Sequence, residues 1–275
     1  MTVTVWVMSP LSMKLTGDAT WYALPLLAAL VVVAWRGRLT REELGLTGGR
    51  GFYGHATLLP LVVVGCVVWL ATLFGVARVG ETPLGLLGLQ VSTMAVLTTF
   101  GAILTEDGFF RGALWGALQR AGRSADEILI WTSTAFVIWY VPILWMTPSP
   151  VLGAEAFLVH VVNTWLLAFC WGLLRLVSGS IVVVAWSHGL WNGLAYTLFG
   201  FGAARGAMGV VDPLRFDPER GWAGIAINAT AVFVLWRWWR RKEAYEAAVA
   251  AEDAADAAHR AARADASTAP KVRGK

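Results

Sequence analysis

Between Ala56 and Ala77 the chain reads ATLLPLVVVGCVVWLATLFGVA, without one Asp, Glu, Lys or Arg. A helix needs roughly 20 apolar residues to cross the hydrocarbon core of a bilayer, and this stretch meets that length. Uncharged runs of the same kind lie on both sides of it. Ala19–Trp35 precedes it, and Leu84–Thr105, Ile128–Ala154, Ala156–Leu174, Leu176–Ala204 and Trp222–Trp236 follow. The first and last are short, but aromatic residues flank them and both end on Arg clusters. The run ending at Thr105 is expected to continue through Phe109, Phe110 and Leu114, which draws Glu106, Asp107 and Arg111 into the membrane. The expected fold is therefore all-α, a polytopic helical membrane bundle of about seven transmembrane helices.

Composition agrees. The 275 residues are 57% hydrophobic and 15% charged, whereas a soluble domain carries about a quarter charged residues. Forty charged side chains are present, and eleven of them fall in the last 33 positions. Such a chain is not a soluble enzyme, a disordered regulator or a disulfide-stapled secreted domain. Sixteen Trp fit the membrane–water boundary, which Trp favours. Cys66 and Cys170 lie inside apolar runs, where a structural thiol is the default. No internal repeat suggests an alternating-access transporter.

Three regions are expected: an N-terminal segment 1–18, a membrane-embedded domain 19–242 with its motif core at 98–200, and an Ala-rich charged tail 243–275. Met1–Met13 is apolar but too short to span and has no basic leader, so it is not read as a cleaved signal. An eighth span over Thr2–Ser12 is the weaker alternative. The tail has high helix propensity but little bulky apolar surface, and is expected to extend the last helix for a few turns and then become disordered.

Loop charge sets the expected orientation. Arg36, Arg38, Arg41 and Arg50 follow the first run, Arg120 and Arg123 the third, Arg175 the fifth, and Arg237, Arg240, Arg241 and Lys242 the seventh. The alternate loops are poorer in basic residues or balanced by acids. The positive-inside rule then puts the N-terminus outside and the C-terminus in the cytoplasm. The net charge of +4 reflects Arg beside anionic lipid and not a nucleic-acid partner.

Ionisable groups inside a span are expensive, so each demands a partner or a function. Glu106-Asp107-Gly108-Phe109-Phe110-Arg111-Gly112 holds three. Asp107 and Arg111 are four apart, a spacing that allows an ion pair. Glu106 points about 100° away on a helix and is the carboxylate placed to act as a general base. The bland reading is a charge cluster capping a helix at the surface. In Ser187-His188-Gly189-Leu190-Trp191-Asn192, His188 and Asn192 share a face. Such a pair can bind a metal, hold a water or donate to an oxyanion, or simply tie helices together. Tyr140, in Phe136-Val137-Ile138-Trp139-Tyr140-Val141-Pro142, reads as packing or an interface anchor, next to a proline that can distort the helix.

In this order the motifs resemble the CPBP family of intramembrane proteases, which includes CAAX prenyl endopeptidases of the Rce type and bacteriocin-processing or immunity proteins. The family pattern is Glu-Glu-x-x-x-Arg, then Phe-x-x-x-His, then His-x-x-x-Asn/Asp on successive helices. Glu106 to Arg111 matches the first and His188 to Asn192 the third. Ser178-Gly179-Ser180-Ile181 is similar to the family's Thr-Gly-Ser-Leu/Ile stretch, and Glu43-Leu44-Gly45-Leu46 to its Leu-Gly-Leu element. Two positions depart: Asp107 replaces the second Glu, and Tyr140 stands where the second motif has His.

The resemblance implies an endopeptidase acting on membrane-associated peptides or proteins, with lipid as its surroundings, and the Ala- and Arg-rich composition is that expected of a bacterial cytoplasmic-membrane protein. By the same resemblance Glu106 is expected to activate water, Asp107 and Arg111 to form an orienting pair, and His188 and Asn192 to stabilise the water or oxyanion, with Tyr140 a doubtful fourth member. No cofactor is favoured. A divalent metal such as Zn would fall to Glu106 and His188, but the Tyr140 phenol is a poor ligand in a closed site. His160 is a weak stand-in for the missing His. The alternative is a catalytically impaired scaffold or regulator, suggested by Tyr140.

Overall fold

The computed structural model describes residues 24–78, 80, 82–146, 153–202 and 204–268. The expectations for Met1–Met13, the eighth span, the start of the first run before Leu24 and the last residues of the tail lie outside these.

Each of the seven uncharged runs carries a helix. Among the described residues the α-helices are, in chain order, α1 (Leu24–Gly37), α2 (Tyr53–Leu73), α3 (Leu84–Leu104), α4 (Leu114–Arg120), α5 (Ala125–Met146), α6 (Ala154–Ser178), α7 (Ile181–Phe199), the single turn α8 (Pro213–Phe216) and α9 (Trp222–Thr268), of which α4 and α8 lie outside the uncharged runs. A π-helical turn, Gly108–Ala113, joins α3 to α4. Among the described residues four helices are long and apolar enough to cross a membrane: Arg50–Leu73, Leu84–Leu104, Ala125–Leu144 and Ala154–Ser178. The architecture is an all-α bundle, and its outward faces are apolar. Leu58, Leu61, Trp69, Leu89, Leu97 and Phe100 are exposed, while Asp107, Arg111, Asn163, His188 and Asn228 are buried. This polar inside and apolar outside is the arrangement of an integral membrane helical protein.

Local sequence explains the helix ends. Ser124 and Glu127 form a reciprocal capping box at the start of α5, with Ser124 N–H donating to Glu127 Oε2 at 2.9 Å. α6 stops at Gly179, whose φ of 71° is open to glycine at low cost. The α3 helix ends at Leu104, and Thr105 leaves helical geometry with φ −130° and ψ −92°. Helical structure then resumes as the π turn, so the expected continuation past Thr105 exists but is broken and widened.

α7 is the central helix. It packs along α3 and also against α2 and α6. Glycine permits the α3 contact: a Cβ on Gly189 would sit 2.2 Å from Thr99 Oγ1 and 2.4 Å from the Ala95 carbonyl, and one on Gly193 2.5 Å from the Val91 carbonyl. Two small residues four apart bring helix backbones together in this way.

The loops gather at two ends. At one, Arg120 binds the Glu43 carboxylate and the carbonyls of Gly37 and Arg38. There Arg175 Nη2 donates to the Glu43 carbonyl at 3.4 Å, and Ile181 N–H donates to the Gly45 carbonyl at 2.8 Å. The Leu44-Gly45-Leu46 element therefore caps the start of α7. At the other end, Arg78 and Gly80 N–H donate to the Met208 and Ala207 carbonyls, and Val211 N–H to Val76.

The chain divides into two compact units, one ending at Leu235 and one beginning at Trp236. In the second, α9 continues as helix to Thr268, further than the few turns expected. Its alanines favour helix, and pairs such as Lys242–Glu246 and Arg240–Glu243 lie at helical spacing.

Candidate active site

The break at Thr105 and the π turn decide where Glu106 and Asp107 point. A π turn holds more residues per turn than an α-helix and is often found at functional sites. Both carboxylates here reach one imidazole. His188 Nδ1 lies 3.1 Å from Asp107 Oδ2, and its Nε2 lies 3.8 Å from Glu106 Oε2. The sequence assigned Asp107 to Arg111 alone and set Glu106 apart from the pair. Asp107 in fact has two partners, because the widened turn lets it face α7 as well as Arg111.

The expected Asp107–Arg111 ion pair is present, at 3.4 Å, with both side chains fully buried. Arg111 is held from every side. Its guanidinium lies 4.5 Å from the Phe136 ring centroid and 5.7 Å from that of Trp171, and Nη2 donates to the Ala168 carbonyl at 3.4 Å. Cation–π contact with two rings offsets part of the desolvation of a buried charge. Arg175 Nε donates to the Arg111 carbonyl at 3.1 Å and fastens the π turn to α6. His188 is stacked on Trp171, with centroids 4.0 Å apart, so ring contact and Asp107 together set the plane of the imidazole.

Glu106, His188, Asn192 and Tyr140 all line one cavity of about 410 Å³. Helices α3, α5, α6 and α7, the break at Thr105 and the loops carrying Phe201 and Glu219 supply its walls, with Leu97, Phe136, Ile143, Leu167 and Trp171 among the apolar surface. Tyr140 stacks on Phe136, centroids 5.7 Å apart and planes 11° apart, and its hydroxyl is hydrogen-bonded with that of Tyr196. Five of the six residues singled out from sequence thus meet through direct contacts or the shared cavity, with Arg111 behind Asp107 completing the set. His160 does not line the cavity; its carbonyl accepts from Thr164 Oγ1 one turn on.

Glu219 is the residue that sequence reading missed. It lies in the loop between α8 and α9, lines the same cavity and accepts a hydrogen bond from Trp191 Nε1. Burial pushes its carboxyl up to about 7, against the lowering effect of the Trp191 bond. The loop around it is built firmly. Asp217 Oδ1 accepts the N–H groups of Glu219 and Arg220, each at 2.8 Å. Asn228 Nδ2 donates to Asn163 Oδ1 at 2.9 Å and to the Pro218 carbonyl at 3.0 Å. The sequence signal was a charged loop balanced in sign, which gave no hint that one acid turns inward.

Residues 88–194 match a family model. It is that of the type II CAAX prenyl endopeptidases, Rce1-like. The Rce1-like span holds Glu106, Asp107, Arg111, Tyr140, His188 and Asn192, while Glu219 and the loop that carries it fall outside. No curated protein and no solved structure matches the chain. The chain therefore has a family-level link to membrane hydrolases of the CAAX type.

A metal would need ligands here. Among the described residues no group of three or more His, Cys, Asp or Glu is arranged to hold an ion. Glu106 and His188 Nε2 offer one carboxylate and one imidazole nitrogen, and His188 Nδ1 is already engaged with Asp107. This donor set supplies two of the three protein ligands usual for catalytic zinc.

Proposed function

We propose that the protein is an intramembrane endopeptidase that hydrolyses peptide bonds of membrane-associated peptides or proteins with water activated by Glu106. The observation that carries this reading is the His188 ring held between two carboxylates at the wall of a cavity that Tyr140 and Asn192 also line. Asp107 accepts the Nδ1 proton and turns Nε2 towards Glu106. The 3.8 Å between Nε2 and Glu106 Oε2 exceeds a direct hydrogen bond and suits a water held by both. Glu106 takes a proton from that water as its oxygen bonds to the peptide carbonyl carbon. The Asn192 amide and the Tyr140 hydroxyl donate to the oxyanion. Collapse breaks the C–N bond, and the proton on Glu106 passes to the leaving amine.

Seven spans are part of this reading, with α7 and the apolar start of α9 crossing alongside α1 and the four longer helices. Contacts among the Arg-rich loops at Arg120, Arg175 and Gly45 support one basic end. The positive-inside rule makes that end cytoplasmic, with the N-terminus outside and the C-terminus inside.

Tyr140 favours a second reading, a protein of this family without catalysis that acts as a scaffold or regulator. One assay separates the two. Purified protein in liposomes is given a membrane-tethered peptide, with and without chelator. Cleavage that is abolished by Glu106→Ala and indifferent to chelator supports the metal-free endopeptidase. An inert wild type that gains activity only as Tyr140→His supports the impaired site.

A further inference from the structure

We propose that Glu219 selects substrates that carry a positive charge beside the cleaved bond, its carboxylate taking an ammonium or guanidinium group inside the cavity. This rests on the endopeptidase reading for the bond that is cleaved, but the cation site itself rests on separate observations. Glu219 lines the same cavity as Glu106 and His188, yet it comes from a loop beyond the Rce1-like span. Its hydrogen-bond donor is the Trp191 indole, which carries no charge.

The neighbouring cation is committed elsewhere. Arg220 Nη2 lies 2.7 Å from Asp217 Oδ2, and it donates to the Gly200 carbonyl at 3.0 Å and to Phe199 at 3.3 Å. Asp217 and Arg220 therefore neutralise each other. Arg111 is neutralised in the same way by Asp107, behind the cavity wall. Among the described residues no Lys or Arg lines the cavity, whereas two carboxylates do. The charged and titratable groups around Glu219 are thus Asp217 and Arg220 on its own loop, His188 and Tyr196 on α7, Tyr140 on α5 and Glu106 before the π turn. With two carboxylates in its lining and apolar walls from Leu97, Phe136, Ile143, Leu167 and Trp171, the cavity is complementary to an aliphatic chain ending in a cation. The loop is pinned through Asn163, Pro218 and Asn228, so little ordering is needed when such a group arrives.

The test uses full-length protein in lipid nanodiscs and membrane-tethered peptides made uncleavable by N-methylation of the scissile amide. Three peptides differ at one residue beside that bond: lysine, norleucine or glutamate. Lysine is expected to bind about tenfold more tightly than norleucine, as a charge-assisted hydrogen bond provides, and glutamate most weakly. Glu219→Gln should bring the lysine-to-norleucine ratio to about one, and Glu219→Lys should place glutamate first. Equal wild-type binding of lysine and norleucine peptides overturns the proposal without recourse to any variant. So does a ratio that survives Glu219→Gln. Cleavage of the unmethylated peptides is read separately: charge discrimination without Glu106-dependent cleavage upholds the cation site and removes the endopeptidase reading.

Discussion

His188 offers its two ring nitrogens to two adjacent carboxylates, Nδ1 to Asp107 at 3.1 Å and Nε2 towards Glu106 at 3.8 Å. Asp107 thereby sets the orientation of the imidazole that faces the cavity. Replacing it with Asn keeps the shape but removes the charge, and with the amide oxygen facing Arg111 the NH2 group is turned to Nδ1 and disfavours the tautomer protonated there. Asp107→Asn is expected to lower kcat by roughly 10²–10⁴-fold with little change in KM, the pattern of a lost orienting acid. Steady-state cleavage of a tethered peptide measures both. A rise in KM alone would show that Asp107 serves binding and not the imidazole.

Arg111 is a stability residue of the same cluster. Removing it leaves Asp107 buried with only His188 to offset its charge. Arg111→Met is expected to destabilise the protein by about 3–5 kcal/mol, the range for breaking one side of a buried pair. Arg111→Lys should recover little of this. A point charge cannot reproduce the planar contacts with Phe136 and Trp171. Denaturant midpoints in detergent compare the three proteins, and full rescue by lysine would refute the ring contribution.

Helix approach can be tested at glycine. Gly189→Ala forces a methyl group against Thr99 and Ala95, where a Cβ has 2.2–2.4 Å. A loss of about 1–3 kcal/mol is expected, as for an overpacked core. Activity should fall too, since α7 carries His188 and Asn192. Gly65→Ala on α2 meets nothing within 4 Å and serves as the control. Equal thermal stability of the two variants would be the contrary result.

The raised carboxyl of Glu219 links stability to pH. Its ordinary value is 4.5, and burial lifts it to about 7 in the folded protein. The folded state thus prefers the protonated form. The resulting stabilisation is complete below about pH 4.5 and is lost as pH rises through about 7. The midpoint of thermal unfolding should therefore fall between pH 5 and pH 8, and Glu219→Gln should flatten that part of the profile. A variant whose profile overlays the wild type would place the titration on another group.

The acid limb has a different origin. Hydrogen bonds from Arg120 and Thr40 hold Glu43 at about 2, below its ordinary 4.5. Its contribution is present above about pH 4.5 and is lost as pH falls through about 2. Glu43→Gln should flatten unfolding profiles over that lower window alone. An equal effect near pH 7 would argue against the assignment.

Much of the bundle was legible from charge alone. Every uncharged run carries a helix, because lipid leaves the backbone few ways to satisfy its hydrogen bonds. The Asp107–Arg111 pair was legible too, since spacing along one turn is a local property. The second partner of Asp107 was not. It depends on the break at Thr105 and on a π turn, and neither leaves a clear mark in residue type. The length of α9 also escaped: propensity favours helix in the tail, but nothing local says where fraying should begin.

The sequence by itself determined that the chain is an apolar, all-α membrane protein with a few ionisable groups set among its spans. Hydropathy and spacing are read along the chain, so they settle which segments are helical and which charges are out of place. Only the tertiary structure decided what those charges face. Gly189 and Gly193 let α7 close on α3, the π turn directs two carboxylates to His188, and a distant loop brings Glu219 into the same cavity. Each of these is an approach between segments far apart in sequence, and such approaches are set by packing and not by residue type.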